Sequence, residues 1–331
     1  RTRRGRRDTT PLGASCLVND SQRLVPAQYS AGRGDQRLDF VTWSRFLADK
    51  NVRSLLDAQT DREVEIDLGG FKYVNVEGVT CLLALAQHLG LSRRHVVYLR
   101  VPATDDIADQ LDTLGFYETE PTGLRVLSPA QHRPRWRAKS PAIRSSIREL
   151  TPTTIYNVQA EVDKRFMSSA FLEAIDLSAL SESAEFARDL ADAVQEMLRN
   201  VLQHSEVRRG FIGFQKIGDF KLQFVIADWG QGIHRSFATG SPGPEGARVV
   251  EAVLHRFAFP DRPGLFTVAR AVAQWGGSLA LRTGGTLLQY RSDRREIVDD
   301  AVAAEIKQLR PERVSQFPGV QCSVSFDVPR G

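Results

Sequence analysis

Three side chains in the second half of the chain, Glu196, Asn200 and His204, stand at i, i+4 and i+8. That spacing puts all three on one face of a helix, while Val194, Met197, Leu198, Val201 and Leu202 on the other faces can fill a core. A stripe of this kind can hold a hydrated cation. Mg²⁺ takes oxygen ligands and keeps several waters, and Asn200 offers one neutral carbonyl oxygen, which suits an ion already neutralised by phosphates. Glu196 can orient or deprotonate a water within hydrogen-bond reach. The same stripe is equally the solvated face of an exposed helix. A second group is Asp228-Trp229-Gly230-Gln231-Gly232-Ile233, directly after an apolar run. An acid at a strand end, followed by two glycines one residue apart, makes a tight turn that a planar ligand can approach. A carboxylate only accepts hydrogen bonds, so it suits an exocyclic amino group such as that of adenine. The plain alternative is a turn with a capping Asp. A third is Pro263-Gly264-Leu265, where a glycine at a helix start exposes backbone N–H groups to an anion such as phosphate, or simply joins a loop to a helix. Between the second and third groups, residues 234–262 form a Gly-, Pro- and Arg-rich stretch that could close over a ligand with Arg235, Arg248 or Arg256 near phosphates, or lie as a surface loop.

These residues need a scaffold, and the hydrophobic pattern supplies one. Ser181 or Ser183 can cap a helix running to His204, with Glu182 and Glu185 at its positive end. Arg209 to Ile217 and Lys221 to Ala227 read as a hairpin about Gly218-Asp219. Helices are predicted at Ile155 to Leu172, Ala247 to Phe257 and Leu265 to Trp275. Strands are predicted at Ser278 to Arg282, Thr286 to Tyr290 and Val320 to Val328, with a charged insertion before the last. Helices mixed with antiparallel strands give a two-layer α+β sandwich over residues 153–331. Ahead of it, residues 121–152 carry Pro121, Pro129, Pro134, Pro141 and Pro152 and read as a linker. Residues 36–120 read as a second α/β unit. It has an amphipathic helix from Phe40 to Leu56, strands at Val64 to Leu68 and Val96 to Val101, an apolar helix from Val79 to Leu89 and another from Asp105 to Leu114. Strand and helix alternate, which implies a small parallel sheet. Residues 1–35 read as a flexible basic tail, with a first strand near Leu24 to Tyr29.

Taken in order, the three groups resemble a known family. Residues 181–329 resemble the GHKL ATPases (gyrase, Hsp90, histidine kinase, MutL), whose ATP-binding core is the Bergerat fold. Glu196 and Asn200 match the E-x-x-x-N box; Asp228, Gly230 and Gly232, with Ile233 after them, match DxGxG; Gly264 and Leu265, followed by Phe266, Thr267 and Val268, match the second half of GxGLxx[VI]. Arg262 stands where the first glycine of that last motif would be. The resemblance implies ATP and Mg²⁺ as cofactors, the ion on Asn200, the adenine amino group on Asp228, and Glu196 as the residue that activates water in hydrolysing members. Residues 63–116 bear a second likeness, to STAS domains, the fold of anti-sigma-factor antagonists. Here Asn75-Val76-Glu77-Gly78 aligns with the motif that presents a phosphorylatable serine at a helix start, and Glu77 takes the serine's place. Together the two likenesses imply an ATP-driven switch, a slow ATPase or a serine/threonine kinase of the anti-sigma type, with a protein partner engaged through the STAS-like half. Many GHKL proteins dimerise, which leaves a homodimer open. The alternatives are a non-enzymatic interaction module with a degenerate nucleotide site, or a nucleic-acid-associated GHKL ATPase.

Composition narrows these classes. At 331 residues the chain can hold two cores, and 42% hydrophobic with 25% charged residues is globular composition. No apolar run reaches the ~20 residues of a membrane span; the longest, Gly78 to Leu91, is interrupted by Gln87 and His88. Cys16, Cys81 and Cys322 lack zinc-ligand spacing and the density of a disulfide scaffold, so the expected setting is the reducing cytoplasm. The excess charge of +4 sits in two clusters, Arg1 to Arg7 and Arg133 to Arg148. These are either solvated segments or a nucleic-acid footprint. Neither a Gly-x-Ser-x-Gly elbow nor a Walker A lysine is present. A histidine kinase is disfavoured, because His88 falls in an apolar helix and His132 in the linker.

Overall fold

A computed structural model describes residues 22–24, 37–38, 40–57, 62–102, 105–117, 124–127, 145–150, 183–205, 209–217, 221–233, 244–258, 264–293 and 296–327. The predicted helix at 155–172, Arg1 to Arg7, His132, Arg235 and Arg262 lie outside these residues.

The N-terminal half begins with β1 (Gln22–Leu24) and β2 (Arg37–Leu38). The helix predicted from Phe40 to Leu56 is two helices, α1 (Phe40–Ala48) and α2 (Lys50–Asp57). They part at Asp49, whose N–H donates back to the Phe46 carbonyl while its own carbonyl accepts from Arg53. Thr42, Trp43, Phe46, Leu47, Val52, Leu55 and Leu56 are buried, so both pieces keep an apolar face inward. Next come β3 (Glu63–Asp67) and β4 (Tyr73–Val74). Helix α3 (Val76–Gln87) starts three residues before the predicted one. Asn75 caps it, its Oδ1 accepting from the Gly78 N–H at 2.9 Å. It runs on through a π-helical turn, His88–Ser92, closed by Arg93 N–H to the His88 carbonyl. Strand β5 (Val96–Arg100) and helix α4 (Asp105–Thr113) complete the predicted alternation. Strand β6 (Leu124–Leu127) lies in the Pro-rich segment and adds to the sheet edge. The sheet order is β1-β3-β5-β6, with every pair parallel.

The Pro-rich segment also holds β7 (Ser145–Leu150), which joins the other sheet. After it come α5 (Ser183–His204), β8 (Gly210–Ile217), β9 (Lys221–Asp228), α6 (Glu245–Ala258) and α7 (Leu265–Trp275). The two strands predicted between Ser278 and Tyr290 are one, β10 (Gly277–Ser292), whose register shifts on either side of Gly284. The charged insertion contains a further helix, α8 (Asp299–Gln308). The last strand, β11 (Glu312–Asp327), starts well before the predicted Val320. These strands make a five-stranded antiparallel sheet of order β10-β11-β9-β8-β7. Among the described residues the molecule is thus mixed α/β, with a four-stranded parallel sheet, a two-stranded parallel pair of β2 and β4, and a five-stranded antiparallel sheet.

Alternation along the antiparallel strands gives that sheet two buried faces. On one face Leu222, Phe224, Ile226, Leu281 and Val324 pack against Phe186, Leu190, Val194 and Met197 of α5 and against apolar residues of α6 and α7. On the other face Ile147, Phe211, Val225, Ala227 and Trp229 belong to the core cluster of the N-terminal half. That cluster includes α3, every residue of which is buried. A helix apolar all round must be covered all round, and α3 is: the parallel sheet covers one side and the antiparallel sheet the other. Gly213 makes the contact close. A Cβ there would collide with the Val76 and Thr80 side chains. Polar contacts fix both ends of the helix: the Val76 N–H donates to Gln215 Oε1 at 3.0 Å, and Gln87 Nε2 to Glu149 Oε1 at 2.5 Å.

Candidate functional site

Asp228 ends β9 on the face toward α5, since it shares the parity of Leu222, Phe224 and Ile226. It is 3% exposed. Its Oδ1 accepts from the Gly230 N–H at 2.7 Å. Burial pushes the carboxyl up to about 7, against the opposing hydrogen bonds from the Gly230 and Val320 backbones. The rest of the turn is held as tightly. Gly230 lies against Ser205, at the end of α5: a Cβ on Gly230 would stand 2.6 Å from Ser205 Oγ. Gly232 has φ +78°, a conformation that L side chains seldom adopt. The Ile233 N–H donates to Thr283 Oγ1 of β10 at 2.9 Å. Asp228, Gly230, Gly232 and Ile233 therefore form one rigid turn, wedged between the end of α5 and the middle of β10.

Glu196 and Asn200 meet one turn apart on α5. Asn200 Nδ2 donates to the Glu196 carbonyl at 2.9 Å and to its Oε1 at 3.4 Å. This turns the amide nitrogen toward the helix, and Asn200 Oδ1 carries none of the hydrogen bonds found among the described residues. Glu196 is 3% exposed, and its Oε2 is paired with Arg199 Nη1 at 3.0 Å. The side chain of His204 lies outside the described residues. Gly264 is the N-cap of α7, with extended backbone (φ −152°, ψ −177°) and no side-chain acceptor for the first-turn amides. Leu265 and Phe266 bury themselves in the core. Residues 234–243 and 259–263, the ends of the predicted loop, lie outside the described residues. Its middle is α6, whose Glu245 Oε1 accepts from the Gly285 N–H of β10 at 2.9 Å.

The three groups are thus arranged around one core, which holds β9, α5 and the start of α7. Within it the Asp228 turn touches α5 at Ser205, while Gly264 has no hydrogen bond to either of the other groups among the described residues. Ser205, Thr283 and Gly319 were not visible as site residues in the sequence. They come from a helix end and two remote strands, and packing together with strand register brings them to the turn. A surface cleft of about 380 Å³, lined by Arg53, Leu56, Asp57, Val314 and Gln316, lies between α2 and β11 and contains none of the candidate residues.

Among the described residues no cluster of three or more His, Cys, Asp or Glu side chains could hold a metal by itself, so an ion here would depend on Asn200 and on its ligand's oxygens. Cys81 and Cys322 are buried thiols, not a disulfide. His88 is buried, and burial, aided by Arg93 and His95, lowers its pKa to about 4, so it is a neutral core residue. No helix among the described residues is long and apolar enough to cross a membrane. No protein-family model matches the chain, and no curated protein matches it.

Proposed function

We propose that the C-terminal half binds a magnesium–adenine nucleotide in a site of the Bergerat type, and that the chain is an ATP-driven regulatory switch with a STAS-like N-terminal half. The observation that carries this reading is Asp228. It is a buried carboxylate at the end of a central strand, on the helix side of an antiparallel sheet, held by the amide two residues on and set against the helix of Glu196 and Asn200. A buried acid with an elevated pKa is costly to maintain and is common where a ligand donor completes its hydrogen bonding. The donor it fits is an exocyclic amino group. Asn200 Oδ1 fits one coordination position of Mg²⁺, and the uncapped start of α7 fits phosphate oxygens. When bound, ATP would supply the transferable phosphoryl group; the chain's own residues orient it and hold the water or hydroxyl that attacks.

Turnover should be slow. A general base must be free to take a proton, and Glu196 is engaged by both Arg199 and Asn200. This favours a nucleotide-held switch, with hydrolysis or phosphotransfer to a serine or threonine as its slow step. Calorimetric titration of Mg-ATP and Mg-ADP into the full chain tests the reading. Binding by the wild type that Asp228→Ala abolishes supports it; a folded wild type that binds neither nucleotide ends it.

A further inference from the structure

The turn that carries Asp228 is separated from the N-terminal helices by a sheet one residue thick, and it is gripped from both sides. Asp228 faces α5; the next residue, Trp229, is 2% exposed and buried on the opposite face, in the cluster that contains α1 and α3. Strand β10 repeats the arrangement. Thr283 holds the far end of the turn through the Ile233 N–H. The preceding residue, Arg282, is 1% exposed and lies within electrostatic range of Cys81 in α3. Arg282 Nη2 donates to the Ser315 carbonyl at 2.6 Å, and Ser315 Oγ accepts from Arg53 Nη2 of α2 at 2.8 Å. A third contact comes from β11. Gly319, at φ +93°, lies so close to the Asp228 carbonyl and the Trp229 Cα that no side chain fits between them. Two consecutive pairs, Asp228–Trp229 and Thr283–Arg282, therefore straddle the sheet at the same turn.

The seam on the far side is not a plain hydrocarbon core. Arg282, Gln321, Ala227, Phe211 and Glu149 form one register row across all five strands. Gln321 is fully buried, and both ends of its amide lack a partner among the described residues, as do Trp43 Nε1, Thr80 Oγ1 and Trp229 Nε1. Buried polar atoms left unpaired are costly. This seam is therefore less completely satisfied than the opposite face, which is packed with Leu, Ile and Phe.

We infer that the N-terminal helix layer reads the Asp228 turn through Trp229 and Arg282, so that a ligand on the turn changes the packing of α2 and α3, and a change in those helices changes ligand affinity. Such coupling is reciprocal by necessity. The choice of an adenine nucleotide as the ligand rests on the function proposed above; the coupling itself rests on the straddling pairs.

The test has two arms, both on the full chain. In the first, amide exchange of residues 50–57 and 76–87 is followed with and without Mg-ATP, alongside calorimetry. A change of about threefold or more in exchange, reduced in Trp229→Phe, is expected; bound nucleotide with unchanged exchange overturns the inference. The second arm needs no nucleotide. The Asp228 carboxyl is titrated by carbon NMR in wild type, Trp229→Phe and Ser315→Ala, both charge-neutral, with Thr113→Ala on α4 as control. A midpoint displaced from that of the wild type by about half a unit or more in Trp229→Phe and Ser315→Ala and not in the control supports the coupling; equal midpoints in all four overturn it. Absence of nucleotide binding in the calorimetry would refute the proposed ligand, and the second arm would then decide the coupling.

Discussion

Asp228 is the residue on which most depends, and its protonation gives a sharp expectation. Its pKa stands at about 7 in the folded chain, because burial outweighs the Gly230 and Val320 hydrogen bonds. Only the carboxylate has both oxygens available as acceptors for an amino group. Adenine-nucleotide affinity should therefore fall as pH drops through 7, by about tenfold between pH 8 and pH 6 if only the ionised form binds. Calorimetry at the two pH values, with Asp228→Asn as a pH-insensitive comparison, checks this. Arg199 supplies a second expectation. Its guanidinium, 3.0 Å from Glu196 Oε2, occupies an oxygen that a general base would need free. Arg199→Ala should raise any slow phosphate release several-fold without loss of nucleotide affinity. A variant that hydrolyses no faster, or that loses binding, would show that Arg199 instead helps to hold the ligand. The spacing of Glu196 with Asn200 and the Asp228 turn were legible in the sequence because each lies within a few residues. Ser205 and Thr283 were not, because their proximity to the turn is a product of packing and strand register.

At the scale of elements, the apolar periodicity found most of the helices and seven of the eleven described strands, missing β2, β4, β6 and β7. The failures have separate physical causes. Helix α8 has only Val302, Ala303 and Ile306 buried, and its many charges masked so narrow an apolar stripe. Strands β6 and β7 sit among prolines that dominate the composition around them, yet each lies between prolines and loses no ladder donor to one. The pattern of α1 and α2 runs through Asp49, where a local turn divides a helix that periodicity alone would continue. Helix α3 was legible as buried, but a sequence does not say what buries a helix that is apolar on every side. The answer makes Phe211 a test of the fold. It is fully buried against the N-terminal cluster, and Phe211→Ala should cost about 3–5 kcal/mol. Denaturant unfolding monitored in both halves should show the loss as a single shifted transition; a transition that shifts in one half alone would mean that the halves unfold separately.

For the whole molecule, the two sheets share α3, so neither half has a complete core alone. A fragment covering residues 153–331 would lack β7 and would expose Phe211, Val225, Ala227 and Trp229. We expect it to aggregate or to remain partly unfolded, whereas the full chain is monodisperse; light scattering of the two distinguishes the cases. His88 should make a separable contribution to acid stability, opposed over the same range by Asp228, whose raised pKa favours the folded chain as pH falls below 7. The folded pKa of His88, about 4, lies below the unfolded value of 6.5. The unfolded chain therefore takes up the proton first. The stabilisation is complete above pH 6.5 and disappears as pH falls toward 4, by up to about 3 kcal/mol. Urea unfolding at pH 7 and pH 4.5, in wild type and His88→Leu, measures it; equal pH dependence in the two would remove His88 as the cause.

The shared helix also bears on how the protein is made. Val76, at the start of α3, and Gln215, which receives its N–H, are 139 residues apart in sequence. At roughly 5–20 residues per second of synthesis, the first sheet can cover one side of α3 well before the second sheet has left the ribosome. For roughly 7–28 s the nascent chain then presents an apolar helix face with no cover. The demand for a chaperone should be greatest in that interval, and rare-codon pauses placed between the two segments should lower the yield of folded protein more than pauses placed after β11.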